Sequence, residues 1–228
     1  MPAMVLASSS PSRLMVLRNA GVEPVIVPPD VDEDAILARM AGAGPAETVT
    51  ALARAKSAAA AAGAREAAAR AIAADGGDAA AEDVVVVACD SMLLLDGELS
   101  GKPRTEDECV RRWRAQRGRE AELVTGHCLT WLPAGGREPR TEAAAVRATV
   151  RFGEPSDADV AAYAASGEPL GCAGAFTLEA LGGWFIDGVD GDPSNVLGLS
   201  LPHLRRTLAG WGLDVSAFWN TASGAARA

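Results

Sequence analysis

The sequence has few of the residues on which zinc-binding and disulfide-rich folds depend. Its four cysteines are widely spaced and include no C-x-x-C pair: Cys89, Cys109, Cys128 and Cys172. Its two histidines are His127 and His203. This spacing excludes a zinc-finger arrangement, and we expect all four cysteines to be reduced thiols. A Ser-His-Asp triad is not expected, because neither histidine lies in the polar turns described below.

Long apolar runs and an excess of positive charge are also missing. No stretch approaches the roughly 20 apolar residues that a membrane-spanning helix needs. The run from Met1 to Ala7 has no basic segment and is too short for a secretory signal. With 21 Lys and Arg against 30 Asp and Glu, the formal net charge is -9, which gives no general attraction to duplex nucleic acid or an anionic membrane. We therefore expect a cytoplasmic protein that binds neither, while a local positive pocket can still hold a small phosphorylated ligand.

The 228 residues, 49% of them hydrophobic, suffice for a substantial core. Met4 to Ala7 is typical of a short strand, and Pro11 to Gly21 follows as a helix capped by Ser10. Val25 to Val27 then indicates a second strand, so the chain begins with a β-α-β unit. An alanine-rich helix from Pro45 to Ala74 follows.

The second half of the chain alternates between strands and helices. Gly76-Gly77-Asp78 breaks the alanine-rich helix before Val84 to Val87, whose continuous apolar run is typical of a strand buried on both faces. Met92 to Leu99 is a hairpin closed by a type I′ turn at Asp96-Gly97. The later elements are strands near Glu120 to Leu132 and Glu142 to Arg151, and helices near Thr105 to Arg117, Ser156 to Ser166 and Pro202 to Trp211.

Three turns carry groups suited to phosphate chemistry, each with a plainer interpretation. The turn from Ser8 to Arg13 offers hydroxyls, helix N-terminal N–H groups and a guanidinium fork, but Ser before a helix is most often a cap. Asp90, at the end of an apolar strand, can hold Mg²⁺ or activate water, or it can cap a turn. Lys102, between Gly101 and Pro103, can neutralise a polyphosphate or be merely solvated.

Two further residues, Glu33 in an acidic run and Lys56 in the alanine-rich helix, are by themselves typical of solvated surface positions. Cys172 is typical of a small buried residue rather than a nucleophile.

Taken in order, these segments resemble the Maf/YceF family of nucleoside triphosphate pyrophosphatases. The resemblance runs from about Val5 to Leu208. Its motifs are LASSSPSR at Leu6 to Arg13, VDED at Val31 to Asp34, LARAK at Leu52 to Lys56, ACDS at Ala88 to Ser91, LSGKP at Leu99 to Pro103, TGH at Thr125 to His127, YAASGEP at Tyr163 to Pro169, CAGAF at Cys172 to Phe176 and GDPSNVLGLSLP at Gly191 to Pro202.

The resemblance implies an α/β fold similar to that of the inosine triphosphate pyrophosphatases, with a curved mixed sheet flanked by helices and two lobes around a cleft. It implies one catalytic domain over residues 1–219, which leaves 220–228 as a loose C-terminal tail, and it implies a homodimer. The reaction it implies is hydrolysis of a nucleoside triphosphate to the monophosphate and pyrophosphate with Mg²⁺, Mn²⁺ or Co²⁺, which clears noncanonical or surplus nucleotides.

Six family positions map onto this chain: Ser8, Arg13, Glu33, Lys56, Asp90 and Lys102. In this mapping Asp90 and Glu33 hold the metal, since hard divalent cations prefer carboxylate oxygen. The Ser8 loop, Arg13 and the two lysines contact the triphosphate. Asp90 is the expected general base.

Four departures from the commonest family pattern bear on activity and base preference. Ser12 stands where a second arginine is usual, and Ser91 replaces a threonine but keeps its hydroxyl. Gly171-Cys172 and Leu178-Glu179 are more similar to the subgroup that acts on methylated guanine nucleotides. A carboxylate at Glu179 can accept from both N1–H and N2–H of guanine, so we expect it to disfavour uracil and thymine; the plainer interpretation is an exposed loop glutamate.

An alternative function stays open at this point. The family is associated with arrest of septum formation, and the loss of arginine at Ser12 fits a nucleotide-binding regulator of cell division with weak or no catalysis. Retention of Asp90, Lys56 and Lys102 favours the enzyme. A phosphohydrolase that releases orthophosphate has little support.

Overall fold

The computed structural model describes residues 1–74 and 83–220. Its strands are β1 (Ala3–Leu6), β2 (Val25–Ile26), β3 (Val84–Leu95), β4 (Glu98–Ser100), β5 (Glu120–Leu132), β6 (Arg140–Phe152) and β7 (Ile186–Asp190). Its α-helices are α1 (Pro11–Asn19), α2 (Glu33–Arg39), α3 (Pro45–Ala74), α4 (Glu106–Gln116), α5 (Asp157–Ala165), α6 (Pro193–Val196) and α7 (Leu201–Gly210). Its 3-10 helices are Glu168–Gly171, Ala173–Ala175, Leu181–Phe185 and Val215–Phe218.

The strands form one open mixed sheet in the order β2-β1-β3-β5-β6-β7, with β4 paired to β3. β1 runs parallel to both of its neighbours, β2 and β3, while the pairs β3–β5, β5–β6 and β6–β7 are antiparallel. The expected β-α-β start and the mixed α/β fold are therefore confirmed. The hairpin is confirmed as well, since Asp96 and Gly97 have φ of 52° and 84°, the positive values that a type I′ turn requires.

Side-chain alternation along the central strands decides which helix each residue meets. On β3, Val84, Val86 and Ala88 pack with the alanine face of α3. Val85, Val87 and Cys89 point the other way, into a core shared with α1 and α7. Because successive side chains on a strand face opposite sides, Asp90 belongs to the α3 side and Ser91 to the α1 side.

A second apolar core lies around Trp113 of α4. Its indole ring meets Phe152, Tyr163 and Phe185 edge to face, at centroid distances of 5.5–5.8 Å, an arrangement that aromatic quadrupoles favour. The indole N–H donates to the carbonyl oxygen of Ala175 at 2.7 Å. This core therefore anchors the 3-10 helix Ala173–Ala175.

Helix α3 approaches the sheet closely at Gly126 of β5. A Cβ atom built at Gly126 would overlap the carbonyl group of Val49 in α3. Gly126 is also the residue paired with Asp90 across β3 and β5. The absence of a side chain at Gly126 therefore lets the helix lie directly over the part of β3 that carries Asp90.

The structure corrects the expectation that Asp90 ends a strand. β3 continues to Leu95, because its pairing with β5 extends from Val84 to Leu94. The parallel pairing with β1, however, stops at Leu6 and Val87. Asp90 thus lies just beyond the carboxyl end of β1, although it is in the middle of its own strand.

Other elements lie outside the sequence predictions or outside the described residues. The sequence did not predict α2, α6, β7 or the four 3-10 helices. The break at Gly76-Gly77-Asp78 falls on residues that the structure does not describe. Asn220 accepts a hydrogen bond from the backbone N–H of Glu23 at 2.6 Å, and residues 221–228 are likewise outside the description. The domain boundary at 219 stays a prediction. Within residues 1–74 and 83–220, no helix is long and apolar enough to cross a membrane.

Candidate active site

A pocket of about 400 Å³ opens between the β1–α1 turn and the two 3-10 helices that follow α5, Glu168–Gly171 and Ala173–Ala175. It is lined by every site residue that the sequence singled out: Ser8, Arg13, Glu33, Lys56, Asp90, Lys102 and Glu179. The fold therefore brings together side chains that are up to 171 positions apart in the chain.

The Lys56 ammonium joins two carboxylates at this pocket. Its Nζ lies 2.5 Å from Asp90 Oδ1 and 2.9 Å from Glu33 Oε1. The side chains of Lys56 and Asp90 are only 9% and 11% exposed, whereas that of Glu33 is 53% exposed. A buried ammonium needs such partners, because its desolvation is otherwise strongly unfavourable.

Lys56 is buried because it lies on the sheet-facing stripe of α3. The buried positions Val49, Leu52 or Ala53, Lys56 and Ala60 recur every three or four residues, the spacing of one helical face. The plainer interpretation of Lys56 as a surface lysine is therefore wrong. This helical periodicity was the signal, available in the sequence, that Lys56 points at the sheet.

Arg13 in the first turn of α1 is held by three acceptors. Its Nε donates to the carbonyl oxygen of Gly198 at 2.8 Å, Nη1 to Ser8 Oγ at 3.1 Å and Nη2 to Ser91 Oγ at 3.2 Å. A guanidinium has five N–H donors. The two that remain, one on each terminal nitrogen, are available to an anionic ligand.

The capping interpretation of the serine turn is confirmed for Ser10, while Ser8 lies in the pocket and its role toward phosphate stays a prediction. Ser10 caps α1 by accepting from the backbone N–H of Arg13 at 3.5 Å. Ser8 is 7% exposed, and its Oγ accepts from the backbone N–H of Ser10 at 3.1 Å as well as from Arg13. With its oxygen so engaged, the Ser8 hydroxyl proton is left to donate into the pocket.

Lys102 and Glu179 line the pocket from two loops and are both exposed. Among residues 1–74 and 83–220, Lys102 has no ion pair or hydrogen bond from its ammonium group, while Glu179 accepts from the N–H of Leu178 at 3.0 Å. Cys172 lines the same pocket. Burial raises the pKa of its thiol to about 11, and the negative charges of Glu179 and Glu168 raise it further. Cys172 is therefore a neutral thiol at pH 7, as expected of a residue that is not a nucleophile.

Glu168 also lines the pocket; it lies in the YAASGEP motif, but the sequence assigned it no role. Its carboxylate accepts from Thr177 Oγ1 at 2.5 Å and from the N–H groups of Gly182 and Leu181 at 3.0 and 3.1 Å. Burial raises its pKa, but these donors outweigh burial and hold the pKa below its usual value. Glu168 therefore ties together both ends of the loop that carries Glu179.

The side chains at the pocket fit a divalent cation that takes some of its ligands from the protein and the others from a substrate and water. In the part of the chain that the structure describes, no group of three or more His, Cys, Asp or Glu side chains forms a cation cage. The carboxylates of Glu33 and Asp90 both contact the Lys56 ammonium and therefore lie close together. Mg²⁺ is usually held by one or two carboxylates together with substrate phosphates and water, rather than by an all-protein cage.

The mixed sheet flanked by helices makes this chain an α/β protein, and its polar pocket lies at the end of β1, where ligands are commonly bound in this class. The chain belongs to the Maf family, because the family model described as "Maf-like protein" matches residues 3–211. A protein of Corynebacterium aurimucosum named "Nucleoside triphosphate pyrophosphatase" is 60% identical over 95% of this chain and 98% of its own length. Proteins with the same name from Corynebacterium diphtheriae and a Mycobacterium species are 54% and 52% identical over 95% of this chain and 98% and 97% of theirs.

Proposed function

We propose that this chain is a nucleoside triphosphate pyrophosphatase, a hydrolase that converts a nucleoside triphosphate and water to the monophosphate and pyrophosphate. The observation that carries the proposal is the convergence of seven predicted site residues on one pocket. Relatives with 50–60% identity bear the name of this activity over nearly their whole length. The volume of the pocket, about 400 Å³, is in the range of small-molecule sites.

In this proposal Asp90 is the general base. Lys56 occupies one carboxylate oxygen at 2.5 Å, which leaves the other oxygen to orient water and accept its proton. The water oxygen forms a bond to the α phosphorus while the bond between that phosphorus and the oxygen bridging to the β phosphate breaks, so that the monophosphate and pyrophosphate are released. Arg13, Lys102 and the Ser8 hydroxyl stabilise the charge that develops on the phosphates.

Glu33 and Asp90 are the residues that we propose to hold a divalent cation, Mg²⁺, Mn²⁺ or Co²⁺. Such a cation supplies neutralisation of the negative charge on the phosphate oxygens. Glu33 lies at the first residue of α2, after the N-cap Asp32, whose carboxylate accepts from the N–H of Ala35 at 2.9 Å. The cap fixes where α2 begins and therefore where the Glu33 carboxylate enters the pocket.

Glu179 is the residue that we propose to discriminate between bases. Glu179 lines the pocket from the loop that Glu168 holds through the N–H groups of Leu181 and Gly182. A carboxylate accepts from the two N–H donors of a guanine edge, but it has no donor for a uracil or thymine carbonyl. We propose guanine-type triphosphates, modified or surplus, as the preferred substrates.

The experiment that tests this function measures pyrophosphate and orthophosphate release from ordinary and modified nucleoside triphosphates with each cation. Wild type is compared with Asp90→Asn, for which we expect a loss of about 100-fold or more. Asp96→Asn is the matched control, because Asp96 is exposed in the β3–β4 turn at φ 52°, a conformation that asparagine tolerates. Orthophosphate as the product would contradict the proposal.

The alternative, a nucleotide-binding regulator of division, is distinguished by the same protein samples. A regulator without catalysis would show thermal stabilisation by nucleotide but no pyrophosphate release. A cytoplasmic location and a homodimer stay predictions; light scattering of the purified chain tests the homodimer.

A further inference from the structure

A chain of hydrogen bonds extends from Arg13 into the protein interior. Arg13 Nη2 lies 3.2 Å from Ser91 Oγ, Ser91 Oγ lies 3.0 Å from Thr125 Oγ1, and Thr125 Oγ1 lies 3.2 Å from the carbonyl oxygen of Asn195. Ser91 and Thr125 are directly opposite each other in the register of β3 and β5. Cross-strand neighbours on one face are close enough for their hydroxyls to bond.

The groups at the two ends of this series of hydrogen bonds, the Arg13 guanidinium and the Asn195 carbonyl oxygen, fix the direction of every bond between them. A guanidinium donates only, and a carbonyl oxygen accepts only. Thr125 must therefore donate its one hydroxyl proton to Asn195, so that its oxygen accepts from Ser91, whose own oxygen accepts from Arg13. All the bonds run in the same direction, and bonds arranged in this way polarise and strengthen one another.

Thr125 supports Arg13 from two directions, although it does not line the pocket. It is fully buried. Through Ser91 it orients the acceptor of Nη2. Through Asn195 it holds α6, after which Gly198 offers the carbonyl oxygen that accepts from Arg13 Nε at 2.8 Å. The N–H of Gly198 in turn donates to the same Asn195 carbonyl oxygen at 2.9 Å.

We propose that Thr125 is a positioning residue of the phosphate site, which holds the Arg13 guanidinium with its two remaining N–H groups directed at the ligand. The proposal rests on the pyrophosphatase function proposed above. It goes beyond that function because Thr125 touches no substrate. Its effect is to orient the guanidinium before the ligand arrives, so that no reorientation is required when charge develops on the phosphates.

The test compares kcat/KM for pyrophosphate release in Thr125→Val, Thr125→Ser and Thr130→Val. Thr130 is the matched control on the same strand: it is 8% exposed, and its hydroxyl bonds to Ser57 Oγ at 2.8 Å and Thr141 Oγ1 at 3.1 Å, away from the pocket. We expect Thr125→Val to lower kcat/KM about tenfold. Thr125→Ser keeps the hydroxyl and should stay close to wild type, as should Thr130→Val.

A second comparison separates positioning from a general loss of packing. In an Arg13→Lys background the fork is absent, so adding Thr125→Val should lower kcat/KM no further. If Thr125→Val does not fold, Thr125→Ala removes the same hydroxyl without adding a methyl group. A kcat/KM in either variant equal to that of wild type, or an equal loss in Thr130→Val, overturns the proposal.

A failure of the proposed function would be visible separately, because wild type would then release no pyrophosphate. In that case, the quantity compared between the variants is the affinity for a triphosphate with a methylene bridge between its α and β phosphates, in place of kcat/KM. We expect Thr125→Val to weaken this affinity about tenfold, and an unchanged affinity overturns the positioning role of Thr125.

Discussion

Asp90 and Ser91 are consecutive residues of β3, yet their side chains belong to opposite layers of the site. The Asp90 carboxylate is 2.5 Å from Lys56 of α3, and the Ser91 hydroxyl is 3.2 Å from Arg13 of α1. This division follows from the period of two along a strand. One dipeptide thus links the helix above the sheet to the helix below it, and a shift of register by one residue would exchange the two contacts.

Removing Lys56 should destabilise the protein more than removing both partners of its ion pair. In Lys56→Met the buried Asp90 carboxylate loses its counter-ion, and we expect the free energy of unfolding to fall by about 1–3 kcal/mol. In the double variant Lys56→Met/Asp90→Asn no charge is stranded, so stability should partly recover. Urea denaturation of the two variants and wild type measures the difference. A double variant less stable than Lys56→Met would contradict this account.

Gly126→Ala should disturb the packing of α3 against the sheet. The new methyl group would overlap the backbone carbonyl of Val49, and backbone cannot swing aside as a side chain can. We expect a loss of about 1–3 kcal/mol in the free energy of unfolding, and reduced activity because α3 carries Lys56. The matched control is Gly63→Ala within α3 itself, where a Cβ atom meets no other atom within 4 Å. This change should raise the free energy of unfolding by about 0.4–1 kcal/mol. Equal effects of the two substitutions would refute the close-approach argument.

Stability should fall as the pH drops below about 6.5, the ordinary pKa of histidine. Burial lowers the pKa of His127 to about 3, and the nearby His203 and Arg13 contribute to the shift. His127 Nε2 accepts from the N–H of Ser200 at 2.8 Å, so the neutral ring is the form that folds. Between these two pKa values the unfolded chain binds a proton that the folded chain does not, and the free energy of unfolding decreases with falling pH by about 1.4 kcal/mol per unit.

His127→Gln tests this assignment, because glutamine does not titrate. Denaturant unfolding between pH 7 and 5 should show a flatter pH dependence in the variant than in wild type. Proton NMR of wild type should show no titration of the His127 ring over the same range. A profile in His127→Gln as steep as that of wild type would assign the pH dependence to other groups.

Glu179→Gln should shift the ranking of bases toward pyrimidines. The amide adds a donor for a uracil or thymine carbonyl and loses one acceptor for guanine. We expect the ratio of kcat/KM for guanine against uracil triphosphates to fall about tenfold. Glu66→Gln, an exposed charge change on α3 outside the pocket, controls for net charge. The same ranking in Glu179→Gln and wild type would leave Glu179 without a role in base recognition.

Elements with strong local patterns could be predicted closely from the sequence. The predicted strand from Glu120 to Leu132 has the bounds of β5, and the predicted helix from Thr105 to Arg117 contains α4. Helix α2 could not be predicted in this way. It has seven residues, fewer than a helix needs to be stable alone, and the burial of Ile36 stabilises it only once the rest of the fold is present.

Within the site, the sequence identified the reactive groups but not all of their supports. Asp90 stood out because it follows a continuous apolar run, and Arg13 because it lies in the first turn of a predicted helix. Thr125 and Glu168 did not, since their importance depends on partners 34 and 14 residues away, Ser91 and Gly182. Those contacts are set by strand register and loop closure, which no local pattern encodes.

The sequence by itself determined the order of the longer strands and helices and the chemical groups available to contact phosphates. Local propensity and capping act over a few residues, so such features can be read directly along the chain. The tertiary structure alone decided that Lys56 is buried against Asp90 and that Arg13 reaches Gly198. These contacts arise from packing of α3 and α6 against β3 and β5, because burial and hydrogen bonding between distant segments select one arrangement of the whole sheet.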